Sequence, residues 1–249
     1  MVVVAIIAAV QGLLVAGILN RYIVPLPTEV LAAIPRLFLE EDIFARFLTT
    51  LEECLIAFVL VAVIGVALGA LLYRLQLLRA AVESSIAAFA SAPIVLMYPL
   101  FLVVFGRATR TVVIIGLIAG LPPVILKTVE GLATTRRVLI DVGRSFNLSQ
   151  LQLFAKILFP AALPTIFVGL RLGLIFALIN IIGVEFLINF GGLGQIINDL
   201  AERYDIAGTY AAILFVVAIS MLFFAVTEWI ERWLRSHTWV ATLCRGRDG

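Results

Sequence analysis

The sequence predicts an all-α protein that crosses a membrane several times. Three observations carry that expectation. Hydrophobic residues make up 63% of the 249-residue chain and charged residues 14%, against about 45–50% and 25% in a soluble domain. Mean hydropathy is +1.16. A soluble fold of this length has too much surface to hide so much apolar area, so the solvent around it is lipid. The apolar residues also fall into charge-free runs of helix-spanning length, and the loops between them carry unequal charge. The same composition excludes other classes. A net charge of +2 with no basic block offers nothing to nucleic acid. Cys54 and Cys244 are too few for a disulfide framework, and with His237 as the sole histidine no Cys/His zinc constellation can be assembled.

Six spans are expected, taken in order, within one membrane domain covering residues 1–249. Residues 1–20 form the first. A signal peptide is the other reading of this run, but it has no basic leader, its apolar core is too long and no Ala-x-Ala site closes it. Span two covers about 54–73 and span three about 84–106, each near the ~20 residues that cross a bilayer. Span four, about 110–127, reaches full length if Arg110 and Lys127 snorkel at its ends. Pro93 and Pro99 in span three, and Pro122 and Pro123 in span four, should break or kink them. The apolar stretch 157–184 is interrupted only by Arg171, which would anchor it at one surface. A break at Pro160 and Pro164 should leave a short interfacial piece before span five, about 165–187. Span six covers about 206–228.

Six spans place both termini on one side, and charge chooses the side. Loops 20–53, 107–110 and 185–205 hold six basic and ten acidic residues; the rest of the chain holds twelve basic and six acidic. Basic residues concentrate in cytoplasmic loops, so the N and C termini are expected to be cytoplasmic. Cys54 would then stand at the outer face and Cys244 inside.

Two loops are more than connectors. Residues 20–53 carry Pro25, Pro27 and Leu37-Phe38-Leu39 before Glu40-Glu41-Asp42, which reads as an interfacial helix in preference to a partner-binding surface. Residues 128–164, on the cytoplasmic side, are more specific. Ser149 and Gln152 fit a capping box, with Leu148 and Leu153 as its hydrophobic staple. The helix so started should run from Gln150 to Phe159 and stop at Pro160, with Leu151, Phe154, Ala155 and Leu158 on one face. A shorter helix, about Arg137 to Phe146, should end at Asn147, a residue that tolerates the left-handed conformation. The resulting knuckle is either an amphipathic hairpin on the headgroups or a docking element for a soluble partner.

Asp141-Val142-Gly143-Arg144-Ser145-Phe146-Asn147, followed by Phe154, Ile157 and Phe159-Pro160, resembles the EAA loop of binding-protein-dependent ABC importer permeases. That motif reads Glu-Ala-Ala, three residues, Gly, nine residues, Ile, one residue, Leu-Pro. Every spacing holds here, with Asn147 at the Gly position, although Asp replaces Glu, Val142 and Gly143 replace the alanines, and Phe159 replaces Leu. Leu26-Pro27-Thr28-Glu29-Val30-Leu31, Pro160-Ala161-Ala162-Leu163-Pro164, Gly169-Leu170-Arg171-Leu172, Val184-Glu185 and Gly192-Leu193-Gly194 resemble, in order, landmarks of the nitrate/sulfonate/taurine-type branch. The Pro-Ile-Pro signature of span three is present only as Ala92-Pro93-Ile94.

The resemblance implies a type I ABC importer permease fold with cytoplasmic coupling helices, in a bacterial inner membrane. Two permease copies, most simply a homodimer, would enclose one pathway for a small solute brought by an extracytoplasmic binding protein. Two ATPase subunits would dock on the coupling helices and carry the ATP and Mg; this chain itself is expected to bind no cofactor. It has no phosphate-binding loop, since Leu126 stands before its one Lys-Thr pair, Lys127-Thr128, where a glycine is required. Asp141, Val142, Gly143, Arg144, Asn147, Leu148, Ser149 and Phe154 are the implied coupling residues. The branch handles nitrate, sulfonates, bicarbonate, aromatic acids and pyrimidine- or riboflavin-like compounds.

Polar residues inside the membrane are functional candidates by default. Ser91, Met97 and Tyr98 on span three, and Asn180 and Glu185 on span five, are the candidates for pathway or gate, with Glu185 read as the one submerged acid. Glu185 could equally snorkel to the outer surface, and Ser91 could bond back into its own helix. An ion-coupled secondary transporter is the competing class, though it would show buried ionisable groups and an inverted repeat. A membrane enzyme is a weaker one, because converging acids, bases or metal ligands are wanting.

Overall fold

A computed structural model describes residues 11–14 and 24–237, and the first expected span, 1–20, lies outside the described residues apart from 11–14. Among the described residues the chain is helical throughout, with no strand. Helix α1, Pro27–Leu39, starts on a proline, which needs no N–H there, and the Glu29 carboxylate accepts the Leu26 N–H at 3.1 Å. Its buried face is Val30, Ala33 and Leu37, a spacing of three and four that forms one stripe. The interfacial helix expected in the first loop is therefore a packed element.

Asp42, at φ 49°, turns the chain into α2, Ile43–Arg74. This helix begins at Ile43 rather than near Cys54, because Phe44, Phe47, Leu48 and Leu51 continue the helical pattern through a segment that Arg46, Glu52 and Glu53 make look like a loop. Its buried stripe of Thr50, Glu53, Cys54, Ala57, Val61, Gly65, Gly69 and Leu72 is rich in small residues, as close helix contacts in lipid require. After Leu75 come α3, Gln76–Ala90, a 3₁₀ turn, Ile94–Met97, and α4, Tyr98–Phe105. The two halves meet at 88°, so the third apolar run is a broken element and not a straight span over 84–106. Pro93 lacks an N–H and disfavours the helical region at Ala92 before it, and Pro99 sits in the first turn of α4.

Helix α5, Thr109–Ala133, is the most deeply packed helix. Of the break or kink expected at Pro122 and Pro123, a break does not occur, since both lie inside the continuous helix. They stand where α8 approaches closely: a Cβ on Gly169 would meet the Pro123 carbonyl at 3.3 Å. Neighbouring helices are what make proline tolerable in a membrane helix. Helices α6, Arg137–Ser145, and α7, Gln150–Leu153, follow. The expected stop at Pro160 does not occur. A π turn over Phe154–Leu158 joins α7 to α8, Phe159–Ile188, and Gln150–Ile188 runs as one 39-residue helix. The extra residue of the π turn accommodates the missing N–H of Pro160 and the crowding of its ring, a known use of such bulges. Pro164 is simply helix interior.

Asn189, Gly191 and Gly192 all take positive φ, reversing the chain into α9, Gly192–Glu202, and Asp205 receives the Gly208 N–H at 2.9 Å as α10, Ile206–His237, begins. Four of these helices are long and apolar enough to cross a membrane, five if the bent α3–α4 pair counts as one. Six is not reached among the described residues.

Helices α2, α5 and α8 form the centre, with Ile115, Val112, Ile181 and Val184 at its core. At one end, α1, α9 and the start of α10 close over Ile43, Leu193, Ile196 and Leu200. Ion pairs Arg46–Asp199 at 3.0 Å, Arg203–Glu41 at 2.8 Å and Arg36–Asp205 at 3.2 Å stitch this end together. Asp205, and after it Glu40, holds the Arg36 guanidinium above its ordinary range. At the opposite end Leu132, Leu158, Ala162 and Ile166 pack beneath α6.

Candidate functional site

The knuckle folds as its local chemistry dictates. The Ser149 hydroxyl accepts the Gln152 N–H at 3.3 Å, and the Gln152 side chain accepts the Ser149 N–H at 3.0 Å. Both halves of the capping box are therefore made. Asn147 is left-handed at φ 52°, and the Leu148 N–H reaches back to the Gly143 carbonyl at 3.2 Å, closing α6. Gly143 is buried where a Cβ would come within 2.6 Å of Ile157, with Leu153 and Leu148 alongside. The EAA-position glycine is thus the point where α6 rests on the next helix. Sequence reasoning missed this packing role, although a glycine inside an amphipathic helix is a signal for close approach.

The implied coupling residues divide into two sets. Asp141, Val142, Arg144, Asn147 and Ser149 are exposed, Asp141 and Arg144 forming a loose pair at 3.9 Å. Val138, Val142 and Phe146, four residues apart along α6 and its cap, are exposed apolar side chains, as is Leu151 on α7, which lines the cavity beside the knuckle. Gly143, by contrast, is buried, Leu148 is half-buried, and Phe154 turns inward. The Phe154 ring carries the Arg74 guanidinium at 5.4 Å and lies 6.0 Å from the Phe159 ring, so it belongs to the knuckle's foundation and not to its outer face. A cavity of about 570 Å³ between Arg74, Ile140, Arg144, Gln150 and Phe154 separates the knuckle from the end of α2.

The pathway candidates are not brought to one place. Ser91 and Met97 are exposed at the α3–α4 break, and the Ser91 hydroxyl donates to the Ala88 carbonyl at 2.7 Å. Tyr98 packs against the central core. Asn180 donates to the Phe176 carbonyl of its own helix at 2.8 Å. Arg171 lies over the Phe224 ring at 5.3 Å, joining α8 to α10.

Glu185 is fully buried, which removes the snorkelling reading. Its Oε1 accepts the Thr50 hydroxyl at 2.7 Å and its Oε2 the Gly194 N–H at 2.8 Å. The Thr50 oxygen in turn accepts the Leu193 N–H at 2.8 Å. A carboxylate and a hydroxyl thus satisfy the first turn of α9, where unpaired N–H groups and the helix dipole both favour negative charge. Gly192 and Gly194 are needed for contact. A Cβ on Gly192 would collide with the Glu185 carboxylate, and one on Gly194 with the Ile182 carbonyl. Glu185 is also not the one submerged acid: Glu53, one turn after Thr50, is 1% exposed beside it. Assigning 43–53 to a loop concealed it; the i, i+3 spacing of Thr50 and Glu53 was the available signal.

Fold and site together make the chain an all-α membrane bundle with a stiff amphipathic knuckle at one end and a helix fastened by a buried acid at the other. The chain belongs to the family of binding-protein-dependent transport system inner membrane components, whose model matches residues 1–236. It is 24% identical over 231 residues, 93% of this chain and 83% of the relative, to a Bacillus subtilis protein named as an aliphatic sulfonates transport permease, SsuC. It is 28% identical over 177 residues, 71% of this chain and 64% of the relative, to the nitrate import permease protein NrtB of a Synechocystis species. A solved structure of the methionine ABC transporter MetNI in an inward-facing conformation shares the fold, with TM-score 0.68 and 21% identity over 77% of this chain and 95% of that one. The protein is a multi-pass membrane permease subunit of an ABC importer, of the nitrate- and sulfonate-type branch. It is a transport subunit and not an enzyme, and it works with an ATPase and a substrate-binding protein.

Proposed function

We propose that two identical copies of this chain enclose one pathway, each with its N and C termini in the cytoplasm. The knuckle formed by α6 and the elbow Asn147-Leu148-Ser149 sits in a groove of one ATPase subunit, two ATPases per assembly. ATP and Mg²⁺ are held by those subunits. The exposed apolar side chains of Val138, Val142 and Phe146, four residues apart along α6 and its cap, carry this reading: an apolar edge on a rigidly capped elbow suits a protein groove. Asp141 and Arg144 beside it face polar partners. Leu148, Gly143 and Phe154 hold the elbow's shape from beneath. Ser91 and Met97, exposed at the α3–α4 break, face the pathway, and Glu185 governs its outer gate by holding α9. The extracytoplasmic binding protein delivers the solute at the α9 end, where α1, α9 and α10 present their ion-paired surface.

Cysteine cross-linking in the assembled transporter tests the docking. A cysteine at Val142 should form a disulfide with a cysteine in the ATPase groove, and the bridge should arrest solute-stimulated ATP hydrolysis. A cysteine at Leu39, exposed at the end of α1 at the opposite end of the bundle from the knuckle, should form none. Equal cross-linking at both positions, or full turnover with the Val142 bridge formed, overturns the proposal.

A further inference from the structure

Glu53 has no cation and no geometric hydrogen-bond partner to explain its burial. It is 1% exposed, and neither carboxyl oxygen has a hydrogen-bond partner. The buried acid beside it is Glu185, itself fully buried. Two buried carboxylates in contact cannot both be ionised without a compensating charge. Among the described residues none supplies it. On α2, Glu52 and Cys54 flank Glu53, and Arg46 is committed to Asp199 at 3.0 Å. On α5 and the turn before it, Thr109 faces Glu53, Arg107 lies over the Phe190 ring at 5.9 Å, and Arg110 donates to the Phe105 carbonyl at 2.9 Å. The first turn of α9, Gly192-Leu193-Gly194-Gln195, brings no titratable group.

The two acids are not equivalent. Glu185 receives an O–H and an N–H and stands at a helix N-terminus, three features that favour its ionised form. Glu53 receives no backbone N–H, and only the Thr109 side chain faces it, without a hydrogen bond of full geometry. We infer that the pair holds one proton, carried by Glu53 as a neutral acid that donates to the Glu185 carboxylate, and that this proton fastens α9 to α2 and α8. With the proton in place, Glu185 carries the only charge and the α9 N–H groups satisfy it. When the proton leaves, two adjacent buried charges repel, and the bond that yields is the one to Gly194, because α9 is an 11-residue helix at the end of the bundle while Glu53 and Glu185 sit in its central helices. The α9 attachment is therefore a proton-dependent latch. This inference concerns the chain's own packing and stands whichever way the docking proposal falls.

The test uses the full-length chain with its ATPase in lipid nanodiscs. Infrared difference spectra between wild type and Glu53→Gln, at neutral pH, should show the carbonyl band of one protonated carboxyl, shifted in ²H₂O and absent from the variant. Amide exchange over residues 192–202, corrected for intrinsic rates, should lose at least tenfold protection as pH is raised in the wild type. In Glu53→Gln it should stay protected, since the amide is neutral at every pH. Should the variant fail to assemble, the wild-type band alone decides: it must fade over the same pH interval as the α9 protection. No protonated-carboxyl band at neutral pH overturns the proposal. So does α9 protection that follows added sodium or potassium at fixed pH, which would mean that a metal cation and not a proton balances the pair.

Discussion

Thr50 and Glu185 are 135 residues apart in the chain and 2.7 Å apart in space. That contact joins α2 to α8, and through the Leu193 N–H on the Thr50 oxygen it also sets where α9 begins. One hydroxyl therefore fixes the mutual position of three helices. Each polar group here is buried, so its partners cannot be replaced by water.

Replacing Thr50 with Val keeps the shape and removes the hydroxyl. Glu185 Oε1 loses its donor and the Leu193 N–H its acceptor, each at about 1–3 kcal/mol for a buried polar group left unpaired. The purified variant should unfold at a lower temperature than wild type, and α9 amides should exchange faster. Thr50→Ser should restore both. A Thr50→Val protein that melts with wild type would show that the hydroxyl does not hold α9.

The crossing of α5 and α8 gives a second prediction. A Cβ on Gly173 would lie 2.9 Å from the Gly120 carbonyl and 2.6 Å from Val124, and one on Gly120 would lie 2.8 Å from the Gly173 carbonyl. Backbone cannot swing aside as a side chain can, so the helices must separate. Gly173→Ala should destabilise the chain by about 1–3 kcal/mol, the usual cost of overpacking. Gly12→Ala, with open space around it, should leave the melting temperature unchanged. Equal stability of both variants would count against the tight crossing.

What the sequence disclosed, and what it did not, follows from the range of each signal. The capping box at Ser149 and Gln152 and the left-handed Asn147 were legible because each depends on residues within one turn. The start of α2 was not, because charges at Arg46, Glu52 and Glu53 mark a loop to any count of local polarity; Glu53 is buried through contacts with α8, far away in sequence. Pro160 misled for the same reason. Proline ends a helix when nothing else compensates, and here a π turn and the packing of Leu158 and Ala162 do. The break at Pro93 was foreseen, but not the 88° bend it produces, which no local rule specifies.

The elbow gives the third prediction. Asn147→Gly should be nearly silent, because glycine accepts the φ of 52° at least as well. Asn147→Val should cost about 1–2 kcal/mol from Cβ crowding in the left-handed region and tilt α6 off its seat at Gly143. Solute uptake and solute-stimulated ATP hydrolysis should then fall together, while membrane insertion and loading of the binding protein persist. A charge reversal at Asp141, exposed on the same face, should weaken ATPase association without disturbing the fold. If both changes leave ATP-driven uptake intact, the knuckle is a surface hairpin and the coupling role falls.

Orientation is the last prediction, and burial changes how it must be measured. Cys54 was expected at the outer face, yet it is fully buried, because α2 starts at Ile43 and carries Cys54 about 16 Å into the bundle at 1.5 Å per residue. A reagent applied from outside should therefore leave it unmodified, and its silence says nothing about topology. Glu41 is a poor reporter too, with 11% side-chain exposure and an ion pair to Arg203. Glu40, its neighbour, is 60% exposed. With Cys244 replaced by Ser, a cysteine at Glu40 should react with an impermeant maleimide in spheroplasts. A cysteine at Phe146, 75% exposed on the knuckle, should react only in inverted vesicles. The six-to-ten balance of basic to acidic residues at the Glu40 end, against twelve to six elsewhere, motivates this direction. Labelling at Phe146 from outside, with Glu40 protected, would invert the topology and put the knuckle on the wrong side to meet any ATPase.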